Sequence, residues 1–162
     1  MKRLILIAVC FMVVLSLVYA GDFTYVGTSK CKMCHKGAKK GEVFEKWEKS
    51  PHAKAFETLK AKGEEKNPKC LECHVTGFNT SGYKIGDANA AKFEGVGCES
   101  CHGPGSAYKS MSIMKDKTKA MANGLIMPTE AACVKCHNKN SPTFKGFDFK
   151  EFVKKIDHTY TK

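Results

Sequence analysis

Cysteine and histidine recur together four times along the chain: Cys31-Lys32-Met33-Cys34-His35, Cys70-Leu71-Glu72-Cys73-His74, Cys98-Glu99-Ser100-Cys101-His102 and Cys133-Val134-Lys135-Cys136-His137. Two thiols at this spacing can form thioether bonds to the two vinyl groups of one haem, and the histidine that follows can place its imidazole on the iron. Each copy thus specifies a covalently held macrocycle and the ligand on one side of its metal. A zinc ribbon groups its ligands in fours but needs no histidine after every second cysteine, and a disulfide framework leaves the histidines equally unexplained. The reading is four covalently bound haem c groups. Cys31, Cys34, Cys70, Cys73, Cys98, Cys101, Cys133 and Cys136 are the attachment points, and His35, His74, His102 and His137 are the proximal iron ligands.

An iron held by one imidazole has a sixth position open. Of the six histidines only His52 and His158 lie outside the motifs, so at most two irons can carry two imidazoles from this chain. Both are assigned as distal ligands. Methionine sulfur is the other candidate, and Met111 and Met114 follow the third motif. The competing use of these methionines, as adaptable filler against a porphyrin face, is the commoner one.

The elements that must position these groups are short. A helical pattern runs through residues 36–49, with Val43, Phe44 and Trp47 on one face. Ser50-Pro51 reads as an N-cap followed by proline at the first helical position, and His52, Ala55, Phe56 and Leu59 then recur on one stripe. Glycines at 77, 82 and 86 break helical runs, so an ordered loop is expected there. Gly95, Gly97, Gly103 and Gly105 flank the third motif, permitting close backbone approach to a porphyrin and a sharp turn at Pro104. Residues 107–121 turn helical again, with Met111, Met114, Thr118 and Met121 on one face. Asp148 followed by Glu151 marks a last helix whose apolar stripe is Phe149, Phe152, Val153, Ile156 and Tyr160. His158 falls on the opposite side if that helix is regular to its end.

Lys2-Arg3, an apolar block at 4–18 and Val18-Tyr19-Ala20 read as a secretory signal peptide cut after Ala20. The block is shorter than the roughly 20 residues of a spanning helix, so no stable membrane insertion is expected after cleavage. Cys10 lies within it, which leaves eight of the nine cysteines, all in the motifs. Haem c is attached outside the cytoplasmic membrane, so the location is periplasmic, with an extracellular one also open. Residues 21–162 then form one tetrahaem domain with about 35 residues per haem. A chain so thinly spread is expected to use the haems themselves as its core, in a mainly α fold with much irregular loop and little or no sheet. The formal charge of +11 would suggest nucleic acid or a membrane surface. Loss of Lys2 and Arg3 and two propionates on each of four haems bring the total near neutrality, so no nucleic-acid partner is expected.

The order of features resembles the cytochrome c-554 family of tetrahaem cytochromes. The resemblance rests on Trp47, Ser50-Pro51-His52-Ala53-Lys54-Ala55, the segment from Cys70 through His74-Val75-Thr76-Gly77-Phe78, Gly82-Tyr83, and Gly95-Val96-Gly97 leading into the third motif with Gly103-Pro104-Gly105 after it. It weakens through the fourth motif, residues 149–154 and His158. The resemblance implies a mostly helical multihaem fold of short helices wrapped around four stacked haems. It also implies a soluble electron carrier in which three haems have two histidine ligands and the second is five-coordinate. His52 and His158 match two of the family's distal histidines. The third family histidine lies between the third and fourth motifs, where this chain has Tyr108, Met111, Ser112 and Met114 instead.

The function expected is that of an electron-transfer protein working between a donor and an acceptor protein. The alternative is reduction of a small molecule such as nitric oxide at an open iron, with His74 the leading site. Assembly of chains through shared histidines is disfavoured, because lending His52 or His158 leaves another iron short, so a monomer is expected rather than a filament.

Overall fold

The computed structural model describes residues 23–159; the expected signal peptide and Tyr160 lie outside them. Among the described residues there are nine short α-helices, two 3-10 turns and no strand beyond an isolated antiparallel bridge between Val75 and Glu94. No described helix is long and apolar enough to cross a membrane. The mainly helical, loop-rich architecture expected from the sequence is the one observed.

The first helix, α1 (Thr28–His35), carries the first motif, and α2 (Val43–Glu48) packs against it. Next come α3 (Ala55–Lys60) and α4 (Pro68–His74), which pack on each other. Asn67 caps α4, its side chain accepting from Lys69 N–H at 3.1 Å, with Pro68 at the first helical position. The third motif is itself a helix, α5 (Cys98–His102). Beyond it lie α6 (Met111–Met114), α7 (Lys117–Ala122), α8 (Glu130–Cys133) and α9 (Phe149–Ile156).

Two local expectations are corrected, and a third, conditional on the last helix staying regular, is decided. The helix read as starting at Pro51 begins at Ala55. Ser50 Oγ does accept from Ala53 N–H at 3.4 Å. The carbonyl of His52, however, accepts from Ala55 at 3.2 Å and from Val96 at 2.9 Å, so residues 51–54 close as tight turns and not as an α-helical first turn. The helix read through 107–121 is split in two, because Asp116 leaves helical geometry and caps α7 by accepting from Lys119 N–H at 3.0 Å. Finally, α9 ends at Ile156 and Asp157 is extended, so His158 lies past the helix and on neither of its faces.

A small protein core also exists where only haem was expected. Phe56 and Leu59 of α3 and Leu71 of α4 pack with Val75, Tyr83 and Phe93. The loop after the second motif folds back over the α3–α4 pair, and this return brings Tyr83 and Phe93 onto a surface that helical periodicity alone does not combine.

Candidate haem sites

In a helix the positions i, i+3 and i+4 share one face, so a Cys-x-x-Cys-His motif wound as one turn presents both thiols and the imidazole on the same side. The first, second and third motifs are helical in this way, at the C-terminal end of α1, at the C-terminal end of α4 and as the whole of α5. The fourth motif starts on α8 and finishes as a turn, in which the N–H groups of Cys136 and His137 both donate to the carbonyl of Cys133.

Several imidazoles are fixed by the backbone behind them. His74 Nδ1 lies 2.7 Å from the carbonyl oxygen of Ala55, His102 Nδ1 lies 3.1 Å from that of Ile126, and His158 Nδ1 lies 2.9 Å from that of Ile156. A carbonyl can only accept, so Nδ1 carries the proton in each and Nε2 is left free to bind a metal. His137 is held differently, stacked on Phe147 at 5.0 Å between ring centroids and meeting Phe152 edge-on at 5.7 Å. Burial pushes the His35, His52 and His102 imidazoles below their ordinary range, toward the neutral form that coordinates metals.

The two histidines outside the motifs each face one inside. His52 and His137 have ring centroids 6.0 Å apart with planes at 69°, and His102 and His158 have centroids 6.0 Å apart at 74°. Two imidazoles on opposite sides of one iron, with metal–nitrogen bonds of about 2 Å, would hold their centroids roughly 6 Å apart. A cavity of about 340 Å³ opens beside the second pair, bordered by Trp47, His52, Cys98, Cys101, His102 and His158. The donor set and its spacing therefore fit haem iron. Among the described residues, no three His, Cys, Asp or Glu side chains converge as a bare metal site would require.

The motifs are adjacent in space in an order different from that of the chain. Helix α1, which carries the first motif, packs on α5, the third, and Cys31 and Cys98 lie close enough to influence each other. Cys136 is pushed up to about 12, by burial first and then by contact with Cys73, which joins the fourth to the second. Cys101 and Cys133 are close enough to interact electrostatically. The order in space is first, third, fourth, second.

Two side chains that organise this arrangement carry no signal in the motif spacing. Thr76, buried, donates through its hydroxyl to the Gly95 carbonyl at 3.0 Å and accepts from Gly97 N–H at 2.9 Å and Ser100 Oγ at 3.1 Å. It thereby holds the entry to α5 against the exit of α4. Glu99, also buried, accepts from the N–H groups of Val26, Gly27 and Gly105. The bonds from Val26 and Gly27 join residues more than 70 positions apart in the chain, which no periodicity could reveal. Trp47 adds a third tie, its indole N–H donating to the Val96 carbonyl at 2.9 Å.

The glycines around the third motif make their close approaches to protein. Gly95 has φ +79°, and a Cβ there would meet the Ala53 carbonyl oxygen at 2.6 Å. Gly103 has φ +78°, and its Cβ would meet the Gly124 carbonyl oxygen at 2.6 Å. Met111 and Met114 lie on α6, which packs on α7; Met111 is 61% exposed and Met114 is half-buried.

Comparison with known proteins agrees with this geometry. The family described as "Cytochrome c554 and c-prime" matches residues 30–103. Cytochrome c-554 of Nitrosomonas europaea is 30% identical over 171 aligned positions, covering 88% of this chain and 71% of that one. The structure of the reduced state of cytochrome c554 from the same organism superimposes with a TM-score of 0.66 at 27% identity, covering 84% of each chain.

Proposed function

The chain belongs to the cytochrome c-554 family, a family of c-type cytochromes, and from that premise we propose that it is an exported tetrahaem protein that carries electrons between redox partner proteins. The observation that carries the reading is the pairing of each non-motif histidine with a motif histidine at 6.0 Å. The assignment that follows has His52 completing the iron of His137 and His158 completing the iron of His102.

Bound haem supplies a reversible one-electron couple between ferric and ferrous iron. The chain does the rest. Its eight motif cysteines anchor the four macrocycles, so that none is lost whatever the oxidation state. The carbonyls of Ala55, Ile126 and Ile156 hold His74, His102 and His158 in the tautomer and orientation that an axial ligand needs. Because the motifs neighbour one another in the order first, third, fourth, second, groups attached to them would form a continuous path through the molecule. The lysines make the surface basic and offset the propionates.

In this reading residues 1–20 are a secretory signal, and the mature protein, residues 21–162, works in the periplasm. Reductive titration of the purified holoprotein tests the reading. Four electrons taken up reversibly per chain, together with a mass equal to residues 21–162 plus four haems, is the expected result. Fewer than four redox-active haems sinks it.

With His52 and His158 engaged elsewhere, the iron of His74 has no imidazole facing it, and this favours a second reading in which that iron binds and reduces a small molecule such as nitric oxide. The iron of His35 is in the same position, and Met111 and Met114 are the sulfur candidates for an iron left open. Rapid binding of nitric oxide to the reduced protein followed by turnover supports the second reading, and a fully six-coordinate spectrum excludes it.

A further inference from the structure

Glu99 is the only charged side chain that is buried among the described residues, at 1% exposure. It stands between the two cysteines of the third motif, and its carboxylate reaches the segment leading into the first. Oε1 accepts from Gly105 N–H at 2.6 Å and from Val26 N–H at 3.0 Å, while Oε2 accepts from Gly27 N–H at 2.8 Å. Every partner is a backbone donor, so the group serves only as an acceptor, which is the role of the ionised form. Gly27 is the N-cap of α1, so the negative charge also sits at the positive end of the helix that carries Cys31 and His35.

This placement puts one unscreened charge beside two haem attachment points. Cys31 of the first motif and Cys98 of the third lie close together, and the charge of Glu99 bears on both, as it does on Tyr25 and Tyr108. The charged residues within the second and fourth motifs are of a different kind. Lys135 of the fourth motif and Glu72 of the second are exposed. Lys40, whose charge bears on His35, is exposed as well. Exposed charges are weakened by water and salt, whereas a buried one acts through a medium of low dielectric.

We infer that Glu99 is a fixed buried charge that holds down the reduction potentials of the haems attached at the first and third motifs relative to those at the second and fourth. Taking up an electron adds negative charge to a site that already faces a carboxylate, and the opposition is largest where the carboxylate is closest. The inference rests on the tetrahaem electron-carrier reading and names a residue that tunes it. Glu99 is a positioning residue as well, since its hydrogen bonds tie residues 26 and 27, α5 and Gly105 together. The two roles separate on substitution.

The test is a spectroelectrochemical titration of the holoprotein beside its Glu99→Gln and Glu99→Asp variants, with thermal unfolding of each. In Glu99→Gln the oxidised-to-reduced ratio at a fixed potential should fall about tenfold at two of the four haems, a rise of about 59 mV for each one-electron couple. The other two should change less than about threefold. Glu99→Asp keeps the charge but shortens the reach, so it should lower the thermal midpoint while leaving the potentials near those of the parent. Equal movement of all four haems, no movement in Glu99→Gln, or the same rise in both variants overturns the inference. If Glu99→Gln yields no holoprotein, Glu99→Asp alone decides: potentials held while stability falls supports the inference, and potentials that rise with the loss of stability overturn it. A parent protein lacking four reversible one-electron steps would instead overturn the carrier reading.

Discussion

The imidazole rings of His52 and His137 face each other at 6.0 Å between centroids, one from the tight turn before α3 and the other from the turn after α8. Replacing His52 with alanine should therefore convert one iron, that of His137, from low-spin to high-spin. Low-temperature electron paramagnetic resonance of the ferric holoprotein should lose one low-spin signal and leave the signal of the His102 iron unchanged. Loss of both low-spin signals would contradict the assignment.

His158 should behave in the complementary way. It follows Asp157, where α9 has already ended, and its ring faces His102. The variant His158→Ala should remove the low-spin signal that survives in His52→Ala, and the double variant should show neither. Because an added histidine ligand lowers the potential relative to weaker ligands, each single variant should raise one midpoint in a redox titration.

Thr76 makes three hydrogen bonds with its one hydroxyl, to Gly95, Gly97 and Ser100. Thr76→Val keeps the volume but leaves the Gly97 N–H and the Gly95 carbonyl without their partner, at a cost of about 1–3 kcal/mol for each buried group. Chemical unfolding of the holoprotein should show a loss of about 2–6 kcal/mol, with four haems still attached by mass.

Tyr108 is buried, its hydroxyl donates to the Gly103 carbonyl at 2.7 Å, and its phenol is raised well above the usual range, chiefly by burial and then by the charge of Glu99. A folded-state value above the unfolded one means that the folded chain holds the proton more tightly. The resulting stability is full below the unfolded value of about 10 and is lost as the pH rises through the folded one. The urea midpoint should fall steeply between about pH 10 and 12. Tyr108→Phe should be less stable at pH 8 and lose stability more gradually above pH 10.

The four Cys-x-x-Cys-His motifs were legible at once, because haem attachment depends on local spacing and spacing is written in the chain. The α9 start at Asp148 was legible for the same reason, since the cap bond from Glu151 N–H to Asp148 Oδ1 spans only three residues. The start at Ser50-Pro51 misled, because the His52 carbonyl is shared with Val96, a partner from the far side of the second motif. The helix through 107–121 misled because methionine spacing says nothing about Asp116 turning to cap a second helix.

By itself the sequence determined which residues can hold haem and that only His52 and His158 remain as further imidazole ligands. Both follow from residue type, from count and from distances of a few positions. Only the tertiary structure decided which motif each free histidine faces, that the motifs neighbour one another as first, third, fourth and second, and that Glu99 and Thr76 lock them together. Those outcomes depend on side chains meeting across tens of residues, where the free energy comes from buried hydrogen bonds and packing that no local pattern encodes.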